Sequence, residues 1–289
     1  MSGSTLAKAV CSAMQRIAPL RLAEKWDNVG LLLEMLMSGP ESPVIRPSRG
    51  KVLLTIDLTP SVFEESTLND VSVIVAYHPP IFKPLQSFTL SNPLQSSLLK
   101  CAARGISVYS PHTSVDSVWG GVNDWLAQGV LSGQRGTVSP LVGEKLSPTS
   151  GESEGAEGRL VTLEDAVSLN DLQGRIKTHL NLQHIQVGMG LASAGASNSV
   201  RTIAICAGSG GSMLLGKDAD VYFTGEMSHH EVLAAVAAGK HVILCGHTNT
   251  ERGYLPVLAA KLRAELAGDG HGEAEVLVSQ ADKHPLDIV

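Results

Sequence analysis

Three histidines stand directly after short apolar runs, in turns that also contain Pro or Gly: His78, His112 and His247. Asp116 and Glu251 follow His112 and His247 by four residues. Imidazole and carboxylate groups are the ligands that Zn²⁺, Mn²⁺ and Fe²⁺ take from proteins, and carboxylates also suit Mg²⁺. The pattern predicts a divalent-metal site, and these five residues are its candidate ligands.

Each of these residues also has a purely structural interpretation. A single histidine after a strand is more often structural than functional, and Asp116 also fits a turn aspartate. If a helix begins near Thr248, His247 and Glu251 lie one turn apart on the same face and can reach one ion. In that helix Thr248 or Asn249 caps the first turn and Glu251 supplies the carboxylate of a capping box. Both interpretations can hold, since a capping carboxylate can also face a metal ion.

A further polar group, Glu226, His229 and His230, follows another apolar run. Successive helical residues point about 100° apart, so the two adjacent histidines are not expected to bind one ion. Ser228 is predicted to cap the helix that follows. Glu226 and His229, together with His112, are candidates for moving protons beside a metal ion.

The two halves of the chain repeat one pattern. The first contains GISVYSPHTSVD, which ends at Asp116, and the second contains GKHVILCGHTNTE, which ends at Glu251. Each consists of a glycine, an apolar run and His-Thr-x-x-acid. Upstream of each lies another apolar run followed by histidine, His78 in the first half and His229 in the second. Ligands of open α/β sheets bind beyond the carboxyl ends of strands. The repeat therefore predicts two related lobes with their polar side chains at comparable strand ends.

Short apolar runs alternate with segments of helix-forming composition. The runs, which are β-branched and bounded by turn signals, predict strands at Lys51–Leu58, Val71–Ala76, Ile106–Tyr109, Arg201–Cys206, Asp220–Phe223 and His241–Cys245. Helices are predicted at Thr5–Ile17, Pro93–Arg104, Gly120–Gly129, Ser228–Gly239 and Thr248–Leu266. The alternation predicts an α/β protein of two related α/β lobes with mixed sheets. We expect the first lobe to comprise residues 1–125 and 241–289, and the second residues 126–240.

Two glycine-rich stretches interrupt this alternation. Gly143–Gly158 is rich in Gly, Ser and Glu, and it is predicted to be a solvated loop or linker. Ala207–Ser212 follows a strand, so its amides can hold an anion. It matches neither the phosphate-binding pattern ending in Gly-Lys-Ser/Thr nor GxGxxG, which favours a tight turn between strand and helix.

Composition and charge exclude several classes of protein. A content of 43% apolar and 17% charged residues is typical of a globular fold. The net charge of −6 argues against direct, sequence-independent binding of nucleic acid. No apolar run reaches the ~18–20 residues of a membrane span, so no membrane partner is expected. The four cysteines lie far apart without a CxxC pair, which fits free thiols and a cytoplasmic location.

Five motifs, taken together and in order, resemble the NIF-three-like family, whose bacterial members are named GTP cyclohydrolase I type 2 proteins. They are WDNVG (Trp26–Gly30), YHPPIF (Tyr77–Phe82), HTSVD with GGVNDWLA (His112–Ala127), TGEMSHH (Thr224–His230) and HTNTERGYL (His247–Leu255). The resemblance implies a NIF-three-like fold, a homohexamer and two metal ions in a cleft. Carried over position by position, it implies His78, Asp116, His247 and Glu251 as metal ligands, with Glu251 bridging the two ions.

One position departs from the bacterial pattern. Many bacterial members read His-His-Pro where this chain reads Tyr77-His78-Pro79, and the missing histidine would be a ligand of the second ion. A tyrosine binds metal well only as phenolate, and its ordinary pKa is about 10. The resemblance thus implies an intact first site of His78, Asp116 and Glu251, and a second site reduced to His247 and Glu251. The tyrosine form resembles eukaryotic members, which implies transcriptional regulators as partners in cytoplasm and nucleus.

Two functions follow from these observations. In the first, the chain is a metal-dependent hydrolase that acts on a nucleotide or a phosphoester-type small molecule, with His112, Glu226 or His229 moving protons. In the second, it is a metal-stabilised scaffold without catalysis that binds transcriptional regulators. The weakened second ion site favours the scaffold, whereas the number of ionisable side chains favours the enzyme.

Overall fold

The strands of this chain form two mixed sheets in the computed structural model, which describes residues 3–35, 50–191 and 199–286. The prediction of an α/β protein with mixed sheets is confirmed. The contacts within the chain define two compact units. Unit 1 comprises Met1–Val115 and Leu255–Lys283, and unit 2 comprises Asp116–Tyr254 and His284–Val289.

The helices and strands have the following bounds. The α-helices are α1 (Gly3–Ile17), α2 (Pro60–Leu68), α3 (Pro93–Arg104), α4 (Thr113–Ser117), α5 (Val122–Leu131), α6 (Leu169–Leu180), α7 (Gly211–Leu214), α8 (His229–Ala237) and α9 (Leu255–Gly268). The strands are β1 (Gly30–Leu33), β2 (Lys51–Thr55), β3 (Val71–Ala76), β4 (Ser107–Ser110), β5 (Gly136–Leu146), β6 (Ser153–Ser168), β7 (Gln186–Gly188), β8 (Ser199–Ser209), β9 (Val221–Glu226), β10 (His241–Leu244) and β11 (Glu275–Val278). Short 3-10 turns cover Leu20–Leu22, His247–Thr250 and Arg252–Tyr254. Among the described helices, none combines the length and the apolar character that crossing a bilayer requires.

The sheet of unit 1 has the strand order β1-β4-β3-β2-β11. Strands β4, β3, β2 and β11 are parallel, and β1 adds to the edge antiparallel to β4. All six residues of β3 are buried, as expected for a central parallel strand covered on both faces. Helices α2 and α3 pack against Leu53, Ile74 and Val108 on one face, and α1 and α9 also contact this sheet.

The sheet of unit 2 has the strand order β5-β6-β8-β9-β10-β7. Strands β8, β9 and β10 are parallel, while β6 pairs antiparallel with β8 and β7 pairs antiparallel with β10. Tyr222 and Val242 belong to a core that includes Leu214 of α7 and Ala235 of α8. Helices α5 and α6 contact β6 and β8. In both sheets, two adjacent parallel strands are followed by the histidine-containing turns that the repeat predicted.

The segment Gly143–Gly158, expected to be a solvated loop, is mostly a β-hairpin. Strand β5 runs to Leu146 and β6 begins at Ser153, so only the six residues between them form the turn. Polar residues are compatible with this hairpin because β5 is an edge strand with one face exposed to solvent. Gly155 lies so close to the backbone of Ser117 that a β-carbon would clash at 2.0 Å. Glycine at position 155 is therefore required by the close approach of the two backbones.

Two further boundaries differ from the sequence-based predictions. The segment Thr248–Leu266 begins with two 3-10 turns, and α9 starts only at Leu255. Strand β10, which the predicted first lobe included, pairs with β9 in the sheet of unit 2. Its local apolar pattern fits either sheet, because the choice of neighbouring strand depends on residues distant in the sequence.

Candidate metal centre

A carboxylate orients His78 within unit 1. His78 follows β3, and its amide donates to the carbonyl oxygen of Ile56, which prolongs the pairing with β2. Its Nδ1 lies 3.0 Å from Asp57 Oδ1. A carboxylate at one ring nitrogen fixes the plane of a histidine and makes Nε2 the nitrogen suited to bind metal. Strand β3 therefore leads into the candidate ligand, and the residues after β2 supply the group that orients it.

A second histidine–carboxylate pair of unit 1 joins His112 to Asp27. His112 Nδ1 lies 2.8 Å from Asp27 Oδ1, and the Thr113 amide donates to Asp27 Oδ2 at 3.1 Å. The Asp27 side chain is fully buried. Burial alone raises the pKa of Asp27, but the hydrogen bonds from His112 and Thr113 outweigh it and hold the pKa below its usual value. Asp27 is therefore a buried carboxylate that favours the proton on His112 Nδ1.

His112 adopts an unusual backbone conformation inside a group of aromatic rings. Its φ angle is 32°, in the left-handed region that non-glycine residues seldom occupy. The ring centroids of Trp26, Tyr77, His78 and Phe82 lie between 5.4 and 6.1 Å from that of His112. Trp26 is 63% exposed and Phe82 is 51% exposed. Backbone strain of this kind is commonly kept where a side chain must hold a defined position for function.

Within unit 2, His247 stands between two carboxylates. Its Nδ1 lies 2.9 Å from Glu226 Oε1, and its Nε2 lies 3.4 Å from Glu251 Oε1. Glu251 is only 3% exposed, so its carboxylate is largely removed from water. The pair is brought together by a 3-10 turn that begins after Gly246, and not by an α-helix capped at Thr248. The structure thus brings together Glu226, His247 and Glu251 of the predicted site residues.

Gly208 borders the space beside this pair. A β-carbon at Gly208 would lie 2.7 Å from Glu251 Oε1 and 2.9 Å from His247 Nε2. Any side chain there would occupy the place where an ion bound to both atoms must sit, since metal–ligand distances are about 2.0–2.2 Å. The donor set and the absence of a side chain at Gly208 fit a divalent metal ion.

Asp116 belongs to the same unit as the His247–Glu251 pair. Burial raises the pKa of the Cys206 thiol strongly, and the nearby carboxylates of Asp116 and Glu251 raise it further. Both carboxylates therefore act on one buried thiol in unit 2. A protonated thiol with a raised pKa is a poor metal ligand and a poor nucleophile, so Cys206 serves as a small apolar side chain.

The glycine-rich stretch Ala207–Ser212 comprises the irregular end of β8, a tight turn at Gly210 and the start of α7, and it is not an anion cradle. The Ala207 amide donates to Asn123 Oδ1 at 2.9 Å, and the Gly208 amide donates to Thr250 Oγ1 at 2.9 Å. The Gly210 amide donates to the Glu226 carbonyl oxygen. Amides committed to these partners are not available to a phosphate.

The two adjacent histidines lie exposed at the start of α8. Their ring centroids are 5.3 Å apart at an angle of 74°. Ser228 precedes the helix, and its amide donates to the Glu231 carboxylate at 2.7 Å, which confirms the predicted cap. The role of His229 in proton transfer stays a prediction.

Four residues that shape the site were not predicted from the sequence. Asp27 and Asp57 orient histidines, whereas Asn123 and Thr250 bind the turn at Gly208. Asp57 carries a recognisable signal, since an acid directly follows the apolar run of β2. The others depend on contacts between residues far apart in the sequence.

Comparison with known proteins gives a consistent result. Residues 5–285 match the family described as Duf34/NIF3 (NGG1p interacting factor 3). The chain is 46% identical over 288 residues to "Protein NIF3 homolog" of Schizosaccharomyces pombe, with 99% of each chain covered. It is 39% identical over 284 residues to "NGG1-interacting factor 3" of Saccharomyces cerevisiae, which covers 96% of this chain and 94% of that protein. Human "NIF3-like protein 1" is 31% identical over 360 residues, covering 98% of this chain and 92% of that one.

Solved structures share the fold at low sequence identity. A Bacillus cereus protein related to NIF3 has a TM-score of 0.79 at 20% identity, covering 98% of this chain and 99% of that one. Reduced HcgD from Methanocaldococcus jannaschii has a TM-score of 0.72 at 22% identity, covering 95% and 97%. These likenesses concern the fold alone, and the sequence relatives establish the membership. The chain belongs to the Duf34/NIF3 family.

Proposed function

We propose that this protein binds a divalent metal ion through His78, Asp116, His247 and Glu251 and hydrolyses a nucleotide or a phosphoester-type small molecule. The observation that carries the proposal is the repeated pairing of a histidine Nδ1 with a carboxylate. It occurs at His78 with a distance of 3.0 Å and at His247 with a distance of 2.9 Å. Metal-binding histidines usually have a carboxylate at their other ring nitrogen, because the carboxylate fixes the ring and raises its basicity.

Different side chains would transfer protons and orient the metal ligands. A divalent ion held by the proposed ligands would supply a polarised water as the nucleophile. His112 holds a proton on Nδ1 against Asp27, so its Nε2 can accept a proton from substrate or water. Glu226, whose carboxylate contacts His247 Nδ1, orients that ligand in this proposal. His229, exposed at the start of α8, is the remaining candidate for proton transfer.

Metal content tests the first half of the proposal. Replacing Asp116 or Glu251 with Ala removes a charged ligand and should lower the bound metal strongly in protein purified without added metal. Cys245→Ala is the control, since this buried thiol has a pKa raised by burial to about 12 and binds no metal in that state. Equal metal content in all three variants would reject the site.

A scaffold that binds transcriptional regulators is the second candidate function. Its support is the name of the Saccharomyces cerevisiae relative, NGG1-interacting factor 3, and an exposed apolar segment in unit 1. The segment contains five exposed large apolar residues: Phe82, Leu85, Phe88, Leu90 and Leu94. Exposed apolar residues this concentrated are typical of a surface that binds protein. The same segment is compatible with the homohexamer that the resemblance implies. Sedimentation at micromolar concentration tests this assembly, and a monomer would contradict the homohexamer.

Turnover separates the two functions. A screen over nucleotides and phosphoesters should find a substrate whose hydrolysis is lost in Glu251→Ala. His229→Ala keeps all proposed ligands, so a rate at least ~10-fold lower with unchanged metal content supports proton transfer by His229. If no substrate turns over and a regulator is captured equally by both variants, the enzyme is rejected in favour of the scaffold.

A further inference from the structure

Two buried polar side chains of unit 2, Asn123 and Thr250, lie between the segments that carry the proposed ligands. Asn123 is 1% exposed and Thr250 is 0% exposed. Neither is ionisable, and neither is a metal ligand in the function proposed above. Buried polar groups of this kind are kept when they fix the positions of the groups they bind.

Asn123 joins the segment of Asp116 to the irregular turn of the backbone at Ala207–Gly208, near the end of β8. Its Nδ2 donates to the Asp116 carbonyl oxygen at 3.0 Å, and its Oδ1 accepts from the Ala207 amide at 2.9 Å. The amide side chain is used at both ends, one end as a donor and the other as an acceptor. This arrangement fixes the distance between the main chain of Asp116 and that of Ala207.

Thr250 joins the same turn to the segment of His247. Its Oγ1 accepts from the Gly208 amide at 2.9 Å and donates to the His247 carbonyl oxygen at 2.7 Å. The hydroxyl is thus a bridge between the main chain of Gly208 and that of His247. Since Gly208 lies against His247 Nε2 and Glu251 Oε1, a shift of this turn changes the space beside the pair.

The turn between the two bridges is held at every main-chain polar group. Besides its two amides, the Gly208 carbonyl oxygen accepts from Thr224 Oγ1 at 3.1 Å, and the Ala207 carbonyl oxygen accepts from Cys206 Sγ at 3.3 Å. All four main-chain polar groups of the dipeptide are hydrogen-bonded. A displacement at one bridge therefore also displaces the groups bound at the other.

We propose that Asn123 and Thr250 are positioning residues that, through the Ala207–Gly208 dipeptide, set the spacing between Asp116 and the His247–Glu251 pair. This inference rests on the proposed metal site, which it deepens by naming the residues that preorganise its unit 2 ligands. Substitution of groups that orient ligands commonly lowers metal affinity about 10–100-fold.

A matched pair of substitutions at Thr250 tests the inference. Thr250→Val keeps the shape of the side chain and removes the hydroxyl, whereas Thr250→Ser keeps the hydroxyl. Competition with a chromophoric chelator measures the affinity for Zn²⁺. We expect Thr250→Val to lower the affinity about 10–100-fold, and Thr250→Ser to retain affinity close to that of the unaltered chain. Asn123→Ala should lower it to a similar extent.

Thr202→Val is the control for loss of a threonine hydroxyl. Thr202 lies in β8 of the same unit, and its Oγ1 accepts from the Asp220 amide and donates to Asp220 Oδ2. It touches none of the bridged segments, so Zn²⁺ affinity should be unchanged in Thr202→Val. A merely structural role would lower affinity equally in Thr202→Val and Thr250→Val, and that result would overturn the inference.

Amide hydrogen exchange provides a readout that needs no metal. In the chelator-treated protein, exchange at Gly208 should be faster in Thr250→Val than in Thr250→Ser. If the unaltered chain binds no Zn²⁺, the proposed function fails, and this exchange comparison still decides whether Thr250 holds the turn. Equal exchange in the two variants, or Zn²⁺ affinity that is equal in both, would show that Thr250 positions nothing.

Discussion

Gly208 lies against Glu251 so closely that a β-carbon on the glycine would be 2.7 Å from the Oε1 atom of the glutamate. The same β-carbon would be 2.9 Å from His247 Nε2. Only glycine therefore leaves room for an ion between these two side chains. The backbone of Gly208 also has a positive φ of 65°, which favours glycine for a second, independent reason.

Gly208→Ala should lower the metal content while the protein still folds. The added methyl group crowds the Glu251 carboxylate, which is shared by the two ion sites that the resemblance implies, and the left-handed backbone costs about 1–2 kcal/mol of folding free energy. Gly216→Ala separates the two effects. Gly216 has a φ of 79° and no atom within 4 Å of an added β-carbon, so it bears the backbone cost alone. Metal content by elemental analysis should fall in Gly208→Ala only, and retention in both variants would contradict the assigned ion position.

Asp27→Asn should make stability less dependent on pH in acid. The pKa of Asp27 is lower in the folded chain than in the unfolded one. Its ionised carboxylate therefore adds to the free energy of unfolding above the unfolded pKa of about 4, and this stabilisation is lost as the pH falls through the folded pKa. Denaturant unfolding between about pH 5 and 2 measures this slope. Asp218→Asn, at a fully exposed side chain, should keep the slope of the unaltered protein. A slope in Asp27→Asn that parallels the unaltered protein would show that Asp27 is not held charged by His112.

The sequence predicted the elements that carry the site better than the contacts that complete it. Strand β3 has the predicted bounds, Val71–Ala76, and α3 has the predicted bounds, Pro93–Arg104. Both have strong local signals: a β-branched apolar run for β3, and Asn92 with Gly105 as caps for α3. The positions of the histidine-containing turns could be predicted because these turns stand directly after such apolar runs.

The remaining contacts depend on residues far apart in the sequence. Asp27 and His112 are separated by 85 positions, and Asn123 and Ala207 by 84. No periodicity or spacing connects such residues, since their proximity arises only when the sheets form. The hairpin of β5 and β6 was missed for a similar reason: pairing between its strands, and not an apolar pattern, keeps polar residues extended.

His179 should destabilise the protein as the solution becomes acidic. Burial lowers the pKa of His179, and a hydrogen bond with the Trp125 backbone opposes that effect only in part. The His179 ring lies against Trp125, with centroids 4.3 Å apart. The unfolded chain then binds a proton near pH 6.5 while the folded chain does not, so stability falls as pH drops below that value.

His179→Phe keeps a flat ring and removes the titration. We expect the loss of stability between about pH 7 and 5 to be smaller in this variant than in the unaltered chain. His184→Gln, at an exposed histidine of the same unit, serves as the control and should keep the original loss. An unchanged pH dependence in His179→Phe would show that His179 takes up its proton equally in both states.

Tyr77→His should raise the metal content from about one ion per chain toward two. Tyr77 is 1% exposed, and its ring lies 5.3 Å from that of His78 and 6.0 Å from that of His112. A phenol binds metal well only after losing its proton, which ordinarily requires a pH near 10, whereas imidazole binds in its neutral form at pH 7. Tyr77→Phe keeps the ring and removes the hydroxyl, so it should match the unaltered chain. Elemental analysis after dialysis counts the ions, and two tightly held ions in the unaltered protein would show that Tyr77 does not limit the second site.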